Sequence, residues 1–230
     1  MRIDGLQKMT LLDYPGKVAC TVFTGGCNFR CPFCHNALLV TELPENPDYT
    51  VDEVLGFLKK RAGLLDGVAI TGGEPLMNPD IDEFIKEIRK LGYSVKLDTN
   101  GSYPERLESI VSQGIVDYVA MDIKNCKEKY AMTIGIKKND LSKIEKSVDL
   151  LKSGIVDYEF RTTVVNEFHT VEDIRKAAEW IKGAKRYFLQ NFVDSGNLID
   201  SKVSGVDKSV MLEMRDVAAD FVPQTEIRGI

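Results

Sequence analysis

Five glycines occupy the same place in a repeating pattern along the 230-residue chain. Gly63, Gly92, Gly114, Gly154 and Gly183 each lie just after an amphipathic segment and a few residues before a short β-rich run. Glycine at such a point typically ends a helix and leads into a strand. The pattern therefore predicts alternating helices and strands, joined as a parallel sheet with right-handed crossovers.

Six strands alternate with helices in this pattern. Helix starts are marked by a capping box of Thr50 and Glu53, and by Asn78 and Pro79 before a second apolar stripe. Strands are predicted at 18–23, 68–71, 94–98, 117–121, 157–164 and 186–191, and later helices at 104–112, 141–152, 170–182 and 207–220. These elements predict an α/β fold, a partial (β/α)6 TIM-like barrel with parallel strands, or failing that a doubly wound open sheet. The length and the 43% hydrophobic content fit a single domain over residues 1–230.

Charge, hydropathy and cysteine usage exclude several classes of partner. The net charge is -5 and the 30 Lys and Arg residues are scattered, which argues against a nucleic-acid-binding surface. No stretch of 18 apolar residues and no export signal occur, so we expect no membrane partner and a cytoplasmic protein. Five cysteines without an export signal favour metal ligation or redox chemistry over disulfides.

Polar residues lie at the end of every predicted strand, where parallel α/β enzymes build their sites. Polar turns would produce part of this pattern without any function. After the cysteine-rich loop that follows the first strand, these residues are Gly72, Gly73 and Glu74, then Asp98, Thr99 and Asn100, then Asp122 and Lys124, then Arg161, and finally Gln190 and Asn191.

Arg161 differs from the other polar residues because it lies within a strand. Strand alternation places it on one face with Glu159 and Thr163. If that face points into the barrel, the guanidinium needs an anionic partner, either Asp98 or a ligand carboxylate. The same reasoning predicts an internal ion pair between Lys96 and Glu159.

Three cysteines lie within eight residues of the segment CNFRCPFC, at Cys27, Cys31 and Cys34. A structural zinc ion needs four ligands, so zinc would have to recruit His35, although adjacent residues rarely converge on one tetrahedral ion. Three thiolates can instead bind three irons of a cubane cluster and leave the fourth iron open to a substrate or cofactor. The spacing favours the cluster and leaves zinc as an alternative.

This C-x3-C-x2-C motif, together with GGEP at 72–75, resembles the radical S-adenosylmethionine (radical SAM) superfamily. Within it, residues 10–36, LDTNG at 97–101 and MDIK at 121–124 resemble the glycyl-radical-enzyme activases. The chain is most similar to the anaerobic ribonucleoside-triphosphate reductase activating proteins, and the similarity extends over essentially its whole length.

The resemblance implies both the cofactors and the residues that hold them. A 4Fe-4S cluster on Cys27, Cys31 and Cys34 would be the catalytic electron-transfer centre, and its open iron would chelate the amino and carboxylate groups of S-adenosylmethionine. Further cofactor-binding residues implied are Gly72, Gly73 and Glu74 at the methionyl amino group, Phe33 on the adenine unless it is an ordinary buried phenylalanine, and Asp98, Lys124 and Arg161 along the pocket. A monovalent cation is implied near Asp98, Thr99 and Asp122.

One departure from the relatives lies near the end of the sixth predicted strand. Pyruvate formate-lyase activase has a histidine there, whereas this chain reads LQNF at 189–192. Phe192 or a neighbour occupies the position, and Gln190 or Asn191 is the candidate replacement. We expect no catalytic role for His35 or His169, and structural roles for Cys20 and Cys126.

The function implied is the reductive cleavage of S-adenosylmethionine to a 5'-deoxyadenosyl radical, which takes a hydrogen atom from a glycine of a partner enzyme. The expected partner is a glycyl radical enzyme, foremost an anaerobic ribonucleotide reductase, with flavodoxin or ferredoxin as electron donor. A six-stranded barrel is open on one side, where a loop of another protein can enter. The alternatives are a radical SAM enzyme acting on a small molecule such as a deazapurine precursor, and a zinc-stabilised binding module.

Overall fold

A single sheet of eight strands forms in residues 1–137, 140–194, 196–200 and 202–229, the parts of the chain that the computed structural model describes. The strands pair in chain order, with β1 antiparallel to β2 and all later neighbours parallel. They are β1 (Ile3–Thr10), β2 (Ala19–Thr24), β3 (Gly67–Gly72), β4 (Ser94–Thr99), β5 (Tyr118–Asp122), β6 (Asp157–Val164), β7 (Tyr187–Asn191) and β8 (Thr225–Arg228).

Helices connect the parallel strands. They are α1 (Leu38–Thr41), α2 (Val51–Lys60), α3 (Ile81–Lys90), α4 (Pro104–Ser112), α5 (Tyr130–Thr133), α6 (Leu141–Lys152), α7 (Val171–Trp180) and α8 (Lys208–Ala219), with 3-10 turns at Pro75–Met77 and Lys127–Lys129. The capping box predicted at Thr50 and Glu53 is present at the start of α2. None of the helices in the described ranges is both long and apolar enough to span a membrane.

The predicted fold class is confirmed, and the sheet extends beyond the six predicted strands. All five connecting glycines adopt a positive φ, between 65° and 89°. The two additional strands, β1 and β8, lie at the two edges of the sheet. The second predicted helix begins at Ile81, because Asn78 instead ends the 3-10 turn, where its side chain donates to the carbonyl of Pro75 at 3.2 Å.

Two apolar layers pack against opposite faces of the sheet. The larger layer joins the strands to the helices and includes the fully buried Val22, Ile70 and Leu97. The smaller one lies on the inner face, where Tyr14 from the β1–β2 connection packs with residues of β2 and β5, including Tyr118. Tyr14 therefore closes the barrel at the amino ends of its parallel strands, opposite the strand ends that carry the polar residues.

The predicted ion pair between Lys96 and Glu159 is wrong, although both residues are buried on the inner face. Lys96 pairs with Asp98 on its own strand. Glu159 binds Arg228 of β8 at 2.9 and 3.0 Å and accepts a hydrogen bond from the Tyr118 hydroxyl at 2.8 Å. The edge strand that the sequence did not predict thus supplies the cation for Glu159.

The strand register explains why Lys96 and Glu159 do not meet. In the β4–β5 ladder Lys96 lies beside Tyr118, and in the β5–β6 ladder Tyr118 lies beside Asp157. Glu159 therefore lies two residues further along the barrel than the level of Lys96. Tyr118, which lies beside Lys96 in the ladder, donates its hydroxyl to Glu159 instead.

Replacement of Arg228 by Met tests whether β8 is needed to neutralise the interior. Glu159 is 1% exposed, and a buried carboxylate that loses its cation destabilises a protein by about 3 kcal/mol. We expect Arg228→Met to lower the free energy of unfolding by about that amount in urea titrations. Arg215→Met, which removes an exposed ion pair with Asp216, should change it by less than about 0.5 kcal/mol. Equal effects of the two substitutions would contradict this account.

Candidate functional site

A cavity of about 210 Å³ lies at the carboxyl ends of β2 to β7. All six strand ends contribute residues, so the fold brings together the polar positions that the sequence singled out. Its lining consists of Cys27, Phe29, Cys31, Phe33, Cys34, His35, Asn36 and Val40 from the cysteine loop and α1, and of Thr71, Gly72, Gly73, Asp98, Thr99, Asn100, Asp122, Lys124, Arg161, Thr163 and Gln190 from the other strands.

The three cysteines of the loop after β2 all reach this cavity as free thiols. Burial raises the pKa of Cys27 to about 11 and that of Cys31 to about 12, and it also raises the pKa of Cys34. Thiolates rather than thiols bind metals, so at neutral pH the three sulfurs release their protons only in exchange for metal ions. The three cysteine side chains are therefore uncharged in the free protein and become thiolates when they ligate a metal.

The cysteine loop is anchored to the end of β3 by backbone hydrogen bonds. The amide of Gly73 donates to the carbonyl of Thr24, and the amide of Glu74 donates to the carbonyl of Gly26, both at 2.8 Å. A Cβ atom on residue 73 would lie 1.9 Å from the Gly26 oxygen. Glycine at 73 is therefore required for the two segments to approach each other.

Asn36 adds a side-chain link to the same junction. Its Nδ2 donates to the carbonyl of Gly72 at 3.0 Å. Gly72 has a φ of 114°, and a Cβ there would lie 2.4 Å from the backbone of Thr24. The sequence assigned no individual role to Asn36, which lies two residues after Cys34 at the end of the segment 10–36 that resembles the activases.

The carboxylate of Glu74 is fully buried beneath the cavity wall and holds the next strand end in place. It accepts hydrogen bonds from the Leu76 amide at 3.1 Å, the Thr99 hydroxyl at 2.8 Å and the Asn100 amide at 2.7 Å. Burial raises the Glu74 pKa to about 7, against the opposing effect of these donors. Gly72 and Gly73 line the cavity while Glu74 supports it, so direct contact of Glu74 with a cofactor stays a prediction.

A group of charged side chains forms the part of the cavity facing β4, β5 and β6. The guanidinium of Arg161 lies 3.2 Å from Asp98 and 3.1 Å from Asp122, which confirms the predicted pairing with Asp98. Lys124 binds Asp122 at 2.9 Å, and Lys96 binds Asp98 from below. Burial opposes ionisation, but Lys124 and Arg161 lower the pKa of Asp122 to about 2. The neighbouring cations also hold the pKa of Asp98 below its usual range, so both aspartates are ionised near neutral pH.

Phe33 forms an aromatic part of the wall between the second and third cysteines. It is 3% exposed, and its ring centroid lies 5.7 Å from that of Phe168. The side chain both lines the cavity and packs in the core, so the predicted contact with adenine and the role of an ordinary buried phenylalanine are compatible here.

The residues after β7 divide between the cavity and the loop that follows. Gln190 lines the cavity, whereas the Asn191 side chain both donates to and accepts from the backbone of Val206 at 3.0 Å. Phe192 stacks on His35 with ring centroids 5.2 Å apart. Gln190 is therefore the better placed of the two candidate replacements for the relatives' histidine.

The remaining histidine and cysteines lie in packed surroundings. His169 is buried and contacts backbone through both ring nitrogens, including the carbonyl of Lys124 at 2.8 Å. Cys20 is fully buried in the core, and Cys126 is 1% exposed with its sulfur 3.6 Å from Asp173. These three residues therefore lie in packed surroundings, and their structural roles stay a prediction.

The donor set of the loop fits an iron-sulfur cluster better than zinc. Three thiols on one short loop face a cavity that leaves room for a further ligand, as a cluster with an open iron requires. In the part of the chain that the structure describes, no three or more His, Cys, Asp and Glu side chains are arranged to hold one metal ion. The four converging ligands that zinc needs are not found there.

Fold and site together define an α/β-barrel enzyme with a thiol-lined cofactor cavity at the carboxyl ends of its strands. The model of the radical SAM superfamily matches residues 21–193. A Methanocaldococcus jannaschii protein, named as a proposed glycyl-radical enzyme activating enzyme, is 31% identical over 99% of this chain and 96% of its own length. The pyruvate formate-lyase-activating enzyme of Clostridium pasteurianum is 27% identical over 95% of this chain and 91% of its own length.

A solved structure shows the same fold. Streptococcus suis SuiB bound to S-adenosylmethionine superposes with a TM-score of 0.70 over 89% of this chain and 48% of its own, at 14% identity. The chain belongs to the radical SAM superfamily, and its whole-length relatives place it in the class of glycyl-radical enzyme activating enzymes. Its cofactors are accordingly a 4Fe-4S cluster and S-adenosylmethionine. The zinc-stabilised binding module is thereby set aside.

Replacement of Glu74 by Gln tests the supporting role of this carboxylate. All three of its partners are hydrogen-bond donors, so an amide would place an NH2 group against at least one of them. Burial raises the Glu74 pKa to about 7, so ionisation of this carboxyl lowers stability as the pH rises from 4.5 to about 7, a loss that an uncharged Gln avoids. We expect urea titrations to show the free energy of unfolding of wild type falling over this range by about 3 kcal/mol more than that of Glu74→Gln. The exposed Glu83→Gln on α3 is the matched control and should follow wild type, and a Glu74→Gln variant with the wild-type pH dependence would count against the buried network.

Proposed function

We propose that this protein uses S-adenosylmethionine to install a glycyl radical on a partner enzyme, foremost an anaerobic ribonucleoside-triphosphate reductase. The observation that carries the proposal is the cavity itself, with three thiols on one wall and a charged group on the other. Relatives that match over the whole chain and are named as activating enzymes support the reaction class. The likeness of residues 10–36 to the reductase activating proteins supports the choice of partner.

Cys27, Cys31 and Cys34 would hold the 4Fe-4S cluster. When bound, the cluster and S-adenosylmethionine supply the electron and the deoxyadenosyl group for radical formation. The chain's own task is to position these groups and exclude water. The links between the cysteine loop and the end of β3 set the position of the thiols.

The opposite wall suits the amino acid part of S-adenosylmethionine. Arg161 and Lys124 offer cationic donors to a carboxylate, and Asp98 offers an acceptor to an ammonium group. Gly72 and Gly73 let the ligand approach the backbone closely. Phe33 is placed to pack on the adenine, and Gln190 to take over contacts made by the relatives' histidine.

The rim of the barrel next to β8 suits entry of a polypeptide loop. A second hollow of about 170 Å³ shares His35, Thr163 and Gln190 with the cofactor cavity and continues to Arg228 and Gly229. In the described part of the chain no ladder joins β8 to β1, so the sheet is open on this side. A glycine carried on a flexible loop has no side chain to obstruct this passage.

We further propose that residues 1–230 act as one catalytic unit, with flavodoxin or ferredoxin as the electron donor.

The state of the cysteines bears on the cellular location, since all five are free thiols. Free thiols and an oxygen-sensitive cluster require reducing surroundings, which supports a cytoplasmic location.

Anaerobic incubation with the reductase of the same organism tests the proposal. With S-adenosylmethionine and dithionite or flavodoxin, the reductase should acquire the electron paramagnetic resonance signal of a glycyl radical. Cys31→Ala should lower this signal to the detection limit while circular dichroism shows a retained fold. Cys126→Ala is the matched control and should keep the signal, because Cys126 is buried beside Asp173.

A different pattern would overturn the proposal. No glycyl radical on the reductase, combined with hydrogen transfer from a small purified substrate, would favour the small-molecule alternative. A signal that survives in Cys31→Ala would separate the radical from the cysteine loop.

A further inference from the structure

The resemblance to the activases predicts a monovalent cation beside Asp98 and Asp122. In the structure, cationic side chains of the protein contact these two aspartates. Asp98, Asp122 and Arg161 belong to the consecutive strands β4, β5 and β6, and Asp122 lies directly beside Arg161 in the β5–β6 ladder. We propose that the guanidinium of Arg161, supported by Lys96 and Lys124, is a built-in cation that replaces a bound monovalent ion in this protein.

The contacts account for every carboxylate oxygen of the two aspartates. Nη1 and Nη2 of Arg161 each lie 3.2 Å from Oδ2 of Asp98, and its Nε lies 3.1 Å from Oδ1 of Asp122. Nζ of Lys96 binds Oδ1 of Asp98, and Nζ of Lys124 lies 2.9 Å from Oδ2 of Asp122. A metal ion between the two carboxylates would therefore lie close to one or more of these cationic nitrogens.

The charge balance points in the same direction. Two carboxylates face three cationic side chains, and the side chains of Arg161 and Lys96 are only 14% and 3% exposed. Charges this deeply buried are poorly screened, so a monovalent ion placed between the two aspartates would be repelled by the three cationic side chains that already contact them. The surplus suits an anionic ligand group in the cavity.

Thr99, the third residue of the predicted cation site, is engaged elsewhere. Its hydroxyl donates to Glu74 at 2.8 Å and accepts from the amide of Gly101 at 3.1 Å. The oxygen therefore supports the Glu74 network rather than the pair of aspartates.

Thermal unfolding of the apoprotein tests the proposal without any cofactor. Melting temperatures are compared in sodium, potassium and choline chloride at matched ionic strength. Wild type should melt at the same temperature in all three salts. Arg161→Met, which frees one oxygen on each aspartate, should melt several degrees lower in choline chloride and regain part of the loss in sodium or potassium chloride. Arg175→Met, which removes an exposed arginine paired with Glu172, should show no difference among the salts.

A saturable rise in the wild-type melting temperature with sodium or potassium would overturn the proposal, and so would an Arg161→Met variant that melts alike in the three salts. If that variant does not fold, the wild-type holoenzyme supplies the decisive measurement. Its affinity for S-adenosylmethionine should agree within about twofold across the salts, whereas a gain of about tenfold with sodium or potassium would refute the built-in cation. Neither measurement involves a partner enzyme, so failure of the glycyl-radical proposal leaves both results unaffected.

Discussion

The close approach of Gly73 to the carbonyl of Gly26 sets the geometry of the whole site. It lets two neighbouring backbone amides donate across the gap between the cysteine loop and the end of β3. The loop is thereby anchored at its first turn, and Asn36 fixes its far end to Gly72. Thiols on a loop held at both ends are positioned before any metal binds, so little order has to be created on loading.

The second requirement is that each charged side chain inside the barrel has a partner of opposite charge. Tyr14 closes the amino end with apolar contacts, and Glu159 lies above it with Arg228. Asp98 lies at the level of Glu159 and pairs with Lys96 and Arg161, and Arg161 lies two residues nearer the cavity, beside Asp122. One part of the cavity lining therefore carries uncharged thiols that can ligate a metal, and another part carries ionised side chains that can bind polar ligand groups. A zwitterionic sulfonium compound suits a cavity of this kind.

The elements with strong local signals were predictable from the sequence. The helix after Thr50 has a capping box, five glycines have the conformation that ends helices, and the alternation around Arg161 places it inside the barrel beside Asp98. Strand β8 was missed because its four residues contain a single apolar side chain, Ile227, and its pairing depends on contacts with β7 and Glu159. Strand β1 was missed because Gln7 and Lys8 interrupt its apolar pattern and residues 7–9 are exposed to solvent.

Relations between strands were harder to predict than the strands themselves. Periodicity shows which residues share a face, but the height of one strand against the next depends on the register. The proposed partner of Lys96 was wrong for that reason, as the ladder through Tyr118 places Glu159 at another level. The indirect role of Glu74 and the part played by Asn36 likewise depend on contacts between segments distant in sequence.

The most direct test of the account is the loading of a Gly73→Ala variant by anaerobic reconstitution. Iron and sulfide content, and the change in the reduced cluster's electron paramagnetic resonance spectrum on adding S-adenosylmethionine, would be compared with wild type and with Gly56→Ala. A Cβ on Gly56 in α2 meets nothing within 4 Å, so that control should load and respond as wild type does. We expect Gly73→Ala to lose the response to S-adenosylmethionine, because the methyl group forces the two segments apart. A Gly73→Ala protein that loads fully and responds like wild type would contradict the account.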